Sequence, residues 1–112
     1  MTSLAAFDRF CRGLRGTNFV VQWGGCHVHK VGPKLTALSM EGGYVFKATP
    51  MGFALLTEQG LARRAPYLRQ GYWLYVEKDA LKQAELFAYL RESYRLAVAA
   101  LTRAQRRELG LG

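Results

Sequence analysis

Apolar side chains recur along this chain in two distinct patterns. From Leu4 to Leu14 the spacing is helical: at about 100° per residue, Leu4, Phe7, Phe10, Cys11 and Leu14 share an arc of roughly 120°, and Arg9, Arg12 and Arg15 lie opposite. Thr2 or Ser3 can cap the start of this helix and Gly16 can end it. Between Thr17 and Lys47 the pattern changes to short runs rich in Val, Tyr, Phe and Thr, divided at Trp23-Gly24-Gly25, Val31-Gly32-Pro33 and Glu41-Gly42-Gly43. Glycine accepts a positive φ at little steric cost, so these divisions predict tight hairpin turns. Four strands follow, over Asn18 to Trp23, His27 to Val31, Lys34 to Met40 and Tyr44 to Ala48, and such short connections require antiparallel neighbours.

The second half returns to helix. Thr49-Pro50 combines a capping hydroxyl with a proline at the first helical position, which predicts a short helix from Pro50 to about Gln59. No period is convincing from Gly60 to Gln70, where Pro66 argues for a loop, and Tyr72 to Val76 predicts a fifth strand. Gln83 to Leu101 is the longest periodic segment, with Leu86, Phe87, Leu90, Tyr94, Ala97, Val98 and Leu101 on one arc. Thr102-Arg103-Ala104-Gln105 then carries the signature of a capping box and starts a last turn or two. The expected fold is α+β, a two-layer sandwich with a twisted antiparallel sheet of about five strands and the N- and C-terminal helices on one face.

Composition narrows the class. The chain has 112 residues, half of them hydrophobic, which suits one domain spanning 1–112 and is too apolar for a disordered tail. Sixteen lysines and arginines against eight acids give a net charge of +8, which bears on partners more than on fold. Two cysteines, Cys11 and Cys26, make no disulfide framework and are expected as reduced thiols in a cytoplasmic protein. Asp8 and Arg9 interrupt the only apolar stretch near the N-terminus, so no secretory signal is expected, and no run approaches the ~20 apolar residues of a membrane span.

Several runs resemble the MmcQ/YjbR family. Val28-His29-Lys30-Val31-Gly32-Pro33-Lys34-Leu35-Thr36-Ala37-Leu38 is similar to the family's strand, turn and strand, and Tyr44-Val45-Phe46-Lys47 to its next strand. Ala65-Pro66-Tyr67-Leu68-Arg69 followed by Trp73 resembles its P-A-P-Y-L and W signature, and Glu85-Leu86 with Glu92-Ser93-Tyr94-Arg95-Leu96 its C-terminal helix. His29 stands where the family pattern has an aromatic ring, Thr36 where it has Phe and Pro33 where it has Gly. The resemblance implies a CyaY-like (frataxin-like) fold, also described as a double wing, and DNA binding.

Candidate chemistry is weighed against simpler explanations. The stretch from Gly60 to Val76 holds Arg63, Arg64, Arg69, Tyr67, Tyr72, Trp73 and Tyr75 with no acid, a combination suited to phosphates and stacked bases. Its structural alternative is that Tyr67 and Trp73 plug the open sheet face while the arginines are solvated. Lys30 and Lys34 flank a turn, as in a wing that touches backbone phosphates, or simply protect a strand edge. His27 and His29 share one strand face, but with no carboxylate nearby in sequence they fall short of a metal site and are expected as a half-exposed pair. Iron chemistry does not follow from a frataxin-like fold when the first helix carries Asp8 against three arginines. Cys11, Ser93 and Tyr94 are expected to be structural, Ser93 by bonding its own helix backbone, and no catalytic motif is present.

The expected function is therefore non-enzymatic DNA binding, without metal or cofactor. Lys30, Lys34, Arg63, Arg64 and Arg69 would contact phosphates, and Tyr67 or Trp73 would stack. The alternative is a small-molecule or protein interaction domain built on an exposed aromatic cleft. The sequence leaves open DNA against RNA, sequence preference and oligomeric state.

Overall fold

The computed structural model describes Met1–Gly112. Helix α1 (Leu4–Arg12) is followed by strands β1 (Thr17–Gln22), β2 (Cys26–Val31), β3 (Lys34–Met40) and β4 (Gly43–Lys47), then by helix α2 (Pro50–Glu58). Strands β5 (Arg63–Arg64) and β6 (Trp73–Glu77) and helices α3 (Gln83–Ala100) and α4 (Arg103–Glu108) complete the chain. The strands form one antiparallel sheet in the order β1-β2-β3-β4-β6-β5.

This is an α+β fold with six strands rather than about five. The additional strand is β5, two residues paired with β6 inside the stretch whose lack of period predicts a loop. Trp23, read both as the end of the first strand and as part of the Trp23-Gly24-Gly25 turn, belongs to the turn alone: β1 ends at Gln22, and Trp23 opens the turn with a φ of +54°, ahead of Gly24 and Gly25.

The helix starts are set by side-chain caps. Ser3 Oγ accepts the Ala6 N–H at 3.1 Å, and Thr49 Oγ1 accepts the Gly52 N–H at 3.0 Å ahead of Pro50. Thr102 and Gln105 exchange side-chain and backbone hydrogen bonds as a capping box.

Strand alternation divides the apolar residues between the two sides of the sheet. Ala37, Tyr44, Phe46, Leu74 and Val76 form one cluster with Phe7 and Cys11 of α1, Leu56 of α2 and Leu86 and Leu90 of α3. Val28, Leu38, Val45 and Tyr75 point the other way and meet no helix; Ala65 and Leu68, from the segment between β5 and β6, cover them. That segment is closed by Arg64, whose guanidinium donates to the Gly71 carbonyl at 3.0 Å.

A β-bulge fastens α3 to the sheet. His29 pairs with Ala37 and Lys30 with Leu35, which leaves Thr36 as the extra residue. Its hydroxyl donates to the His29 carbonyl at 3.0 Å, and its own carbonyl accepts from Ser93 Oγ at 2.6 Å. Ser93 also accepts the Lys47 N–H at 2.9 Å. Ser93 is fully buried and serves two strands, not its own helix as the sequence suggests, because the bulge leaves backbone groups that need a partner.

Candidate nucleic-acid interface

On β2, alternation sends His27, His29 and Val31 toward the helices and Cys26, Val28 and Lys30 to the side without helices. Lys30 is half-buried, while Lys34, next to the turn at Gly32 and Pro33, is exposed. The two share the hairpin end but not a face: Lys30 pairs with Leu35 on the helix-free side, whereas Lys34 pairs with Val31 on the helix side. Lys47 shares the helix-free side with Lys30, since it is paired with Trp73. A side chain placed on Gly71 would meet Lys47 Cε at 3.3 Å, so Lys47 runs along the β5–β6 segment.

The arginines stand apart from the hairpin. Four strand intervals separate β2 from β5, roughly 19 Å at the usual spacing. Arg63 and Arg64 are both exposed and act on opposite sides: Arg63 lies over the Tyr75 ring at 4.5 Å and Arg64 over the Phe53 ring of α2 at 4.8 Å. Arg69 is exposed at the loop, and Trp73 is half-buried against the Val28 cluster. Tyr67 is 91% exposed and holds a φ of +69°.

Tyr67 and Trp23 border the same cleft, of about 390 Å³, on the helix-free side. Its floor is Cys26, Leu38 and Met40, and Pro66 and Leu68 complete its wall. Sequence reasoning missed Trp23 because its aromatic ring was assigned to a strand end. The signal available was the adjoining glycine pair, which marks a turn with several residues at positive φ.

A second group was only half visible in the sequence, which paired His27 with His29 but not with Asp8. Asp8 of α1 reaches β2, where its Oδ2 meets His27 Nδ1 at 2.7 Å and its Oδ1 meets His29 Nε2 at 2.8 Å. The histidines are not a half-exposed pair: His29 is fully buried, and only His27 is half-exposed. Phe7 and Phe19 meet the His29 ring edge to face at 5.4 and 5.1 Å. With Nε2–H donating to Asp8, His29 Nδ1 is left buried without a partner, an arrangement that suits the neutral imidazole. Burial lowers the His29 pKa below its ordinary value against the opposing effect of Asp8. Burial, reinforced by Asp8, pushes the Cys11 thiol up to about 12, so this thiol stays protonated and inert. Asp8 thus joins helix to strand, and both its oxygens are occupied in doing so.

None of the 16 lysine and arginine side chains is paired with a carboxylate within 4.0 Å; both ion contacts belong to Asp8 and the histidines. The positive field is left unneutralised at short range.

The YjbR family model matches residues 12–96. The fold is similar to the crystal structure of Deinococcus radiodurans protein DR2400, a DUF419-domain protein, with a TM-score of 0.85 and 24% sequence identity over 100% of this chain and 91% of that one. No curated protein sequence matches the chain. At this identity the structural likeness carries the fold.

Proposed function

The chain belongs to the YjbR family, and from that premise we propose that it binds nucleic acid as a non-enzymatic module through the helix-free side of its sheet. The observation that carries this reading is the set of cations without carboxylate partners in a chain of net charge +8. Such a field attracts a polyanion and releases its condensed counterions on binding. Lys30 at the hairpin and Lys47 beside Trp73 are the phosphate contacts on one side of the cleft, and Arg69 and Arg63 extend them along the loop and sheet edge; Lys34, paired with Val31 on the other face, adds only its charge at the hairpin tip. Arg64 contributes less, being held by Gly71 and Phe53. DNA, the polymer implied by the family resemblance, is the favoured partner, and the cytoplasm the favoured location. No helix is long and apolar enough to cross a membrane.

The test is retardation of a short labelled DNA across a salt series. Binding that weakens steeply with salt, with a log–log slope of about −0.9 for each phosphate neutralised on a duplex, is expected. A variant combining Lys30→Glu and Lys47→Glu should flatten that slope. Absence of binding at about 50 mM salt, or binding indifferent to salt, would overturn the proposal. A second reading, a site for a flat aromatic small molecule, is favoured by the apolar cleft between Trp23 and Tyr67.

A further inference from the structure

We propose that the cleft between Trp23 and Tyr67 seats the flat ring of an unpaired nucleobase, which makes the preferred partner single-stranded. This rests on the nucleic-acid reading above and specifies which form of the polymer the site takes.

The two rings come from segments 44 residues apart, the β1–β2 turn and the β5–β6 loop, yet share three features. Each is a large aromatic at positive φ, +54° for Trp23 and +69° for Tyr67, where bulky side chains are rare. Each is exposed, 61% and 91%, so burial returns little of the conformational cost. Each borders the same apolar cleft. No other non-glycine residue in the chain has a positive φ. Folding alone gives no reason to hold two rings at a conformational cost around one opening, whereas a stacked ligand does.

The ligand's chemistry follows from the lining and its surroundings. A cleft of about 390 Å³ with a floor of Cys26, Leu38 and Met40 favours an apolar, planar group over a sugar or a free phosphate. Arg69 lies two residues from Tyr67, and Lys30 and Lys47 stand on the same side of the sheet, so the planar group should carry negative charge outside the cleft. A nucleotide has both parts. In a duplex the faces of the bases are stacked on their neighbours, so entry between the two rings requires an unpaired base.

The experiment measures binding of an oligothymidylate of about 12 nucleotides, its length within the range one small domain occupies, alongside the matching duplex and thymidine 5′-monophosphate. The single strand should bind more tightly than the duplex and quench tryptophan fluorescence. Trp23→Gly and Tyr67→Gly, both at exposed positive-φ sites where glycine is tolerated, should each lose affinity on the order of tenfold, as for one lost base stack, while Tyr67→Phe retains it. Equal affinity of wild type and both glycine variants for the single strand, with salt-dependent binding kept, would overturn base stacking and leave the nucleic-acid reading standing. Failure of both polymers to bind at about 50 mM salt would overturn that reading and this one together. Quenching by the monophosphate as strong as by the oligomer would keep the ring in the cleft but assign it to a free nucleotide, overturning the preference for a strand.

Discussion

The two sides of the sheet are closed by different means. On one side, Phe7, Tyr44, Phe46 and Leu90 are at most 1% exposed, because α1 and α3 bring long apolar faces to the strands. On the other, Val28 and Val45 are equally buried, but a loop carrying Ala65 and Leu68 covers them, and Trp73 remains half-exposed. Helices present side chains at regular intervals and fill the space above a sheet, whereas a short loop fills only part of it. The unfilled remainder is the cleft, so the side with the weaker closure is the one able to hold a ligand.

Truncating one apolar residue on each side is the strongest way to break this contrast. Leu90→Ala opens a cavity in the helix-covered core and should cost about 2–5 kcal/mol. Leu68→Ala removes a half-buried side chain that water can replace and should cost roughly 1 kcal/mol. Urea midpoints at constant slope provide the comparison. Equal losses would make the loop a full part of the core and remove the distinction between the two sides.

The polar link between α1 and β2 comes next in size. Asp8→Ala deprives the His27 and His29 N–H groups of their acceptor, and the buried His29 has no water to turn to. A loss of about 1–3 kcal/mol in urea denaturation is expected. The corresponding change on the helix-free side, Lys47→Ala, removes no ion pair and should alter stability far less.

His29 also gives the helix side a pH response. Its folded-state pKa lies below the ordinary 6.5 because burial favours the neutral ring. Above 6.5 the ring is neutral in both states and its contribution is complete. As pH falls from 6.5 toward the folded value, the unfolded chain takes up the proton first, and this contribution declines. His29→Phe, which replaces the ring with a similar one that cannot titrate, should flatten that part of a stability–pH profile, and an unchanged profile would rule out His29 as its source.

These contrasts were unevenly written into the sequence. The Thr49-Pro50 start of α2 and the glycine turns between β1 and β4 were legible, since each acts through its own backbone geometry. The two-residue β5 was not, because a pair of residues has no period and its only strand partner is β6. The Asp8 link joins residues 19 and 21 positions apart, and the only local sign of it was a carboxylate bordering the apolar arc of α1. The hairpin lysines could be placed at one turn, but the faces they take depend on the register of β2 with β3, and the distance between them and Arg63 depends on strand order, neither of which spacing along the chain supplies. Trp23 was hidden by the same turn that revealed the hairpin: the glycines marked the reversal without showing that the left-handed conformation extended to the residue before them.

The smallest expected effect on stability is the one that bears most on the cleft. Tyr67→Gly removes a ring that is 91% exposed, so little buried area is lost. It relieves a left-handed conformation worth about 1–2 kcal/mol in a non-glycine residue, and glycine's greater freedom in the unfolded chain takes back about 0.5–1 kcal/mol. The balance is a protein as stable as the wild type or more stable by up to about 1.5 kcal/mol, read as an unchanged or raised urea midpoint. A large destabilisation would mean that Tyr67 closes the sheet as Leu90 does, making it part of the fold rather than of a binding site. A neutral or stabilising change, together with the loss of single-strand affinity, is what a residue kept for binding at the expense of its own backbone would show.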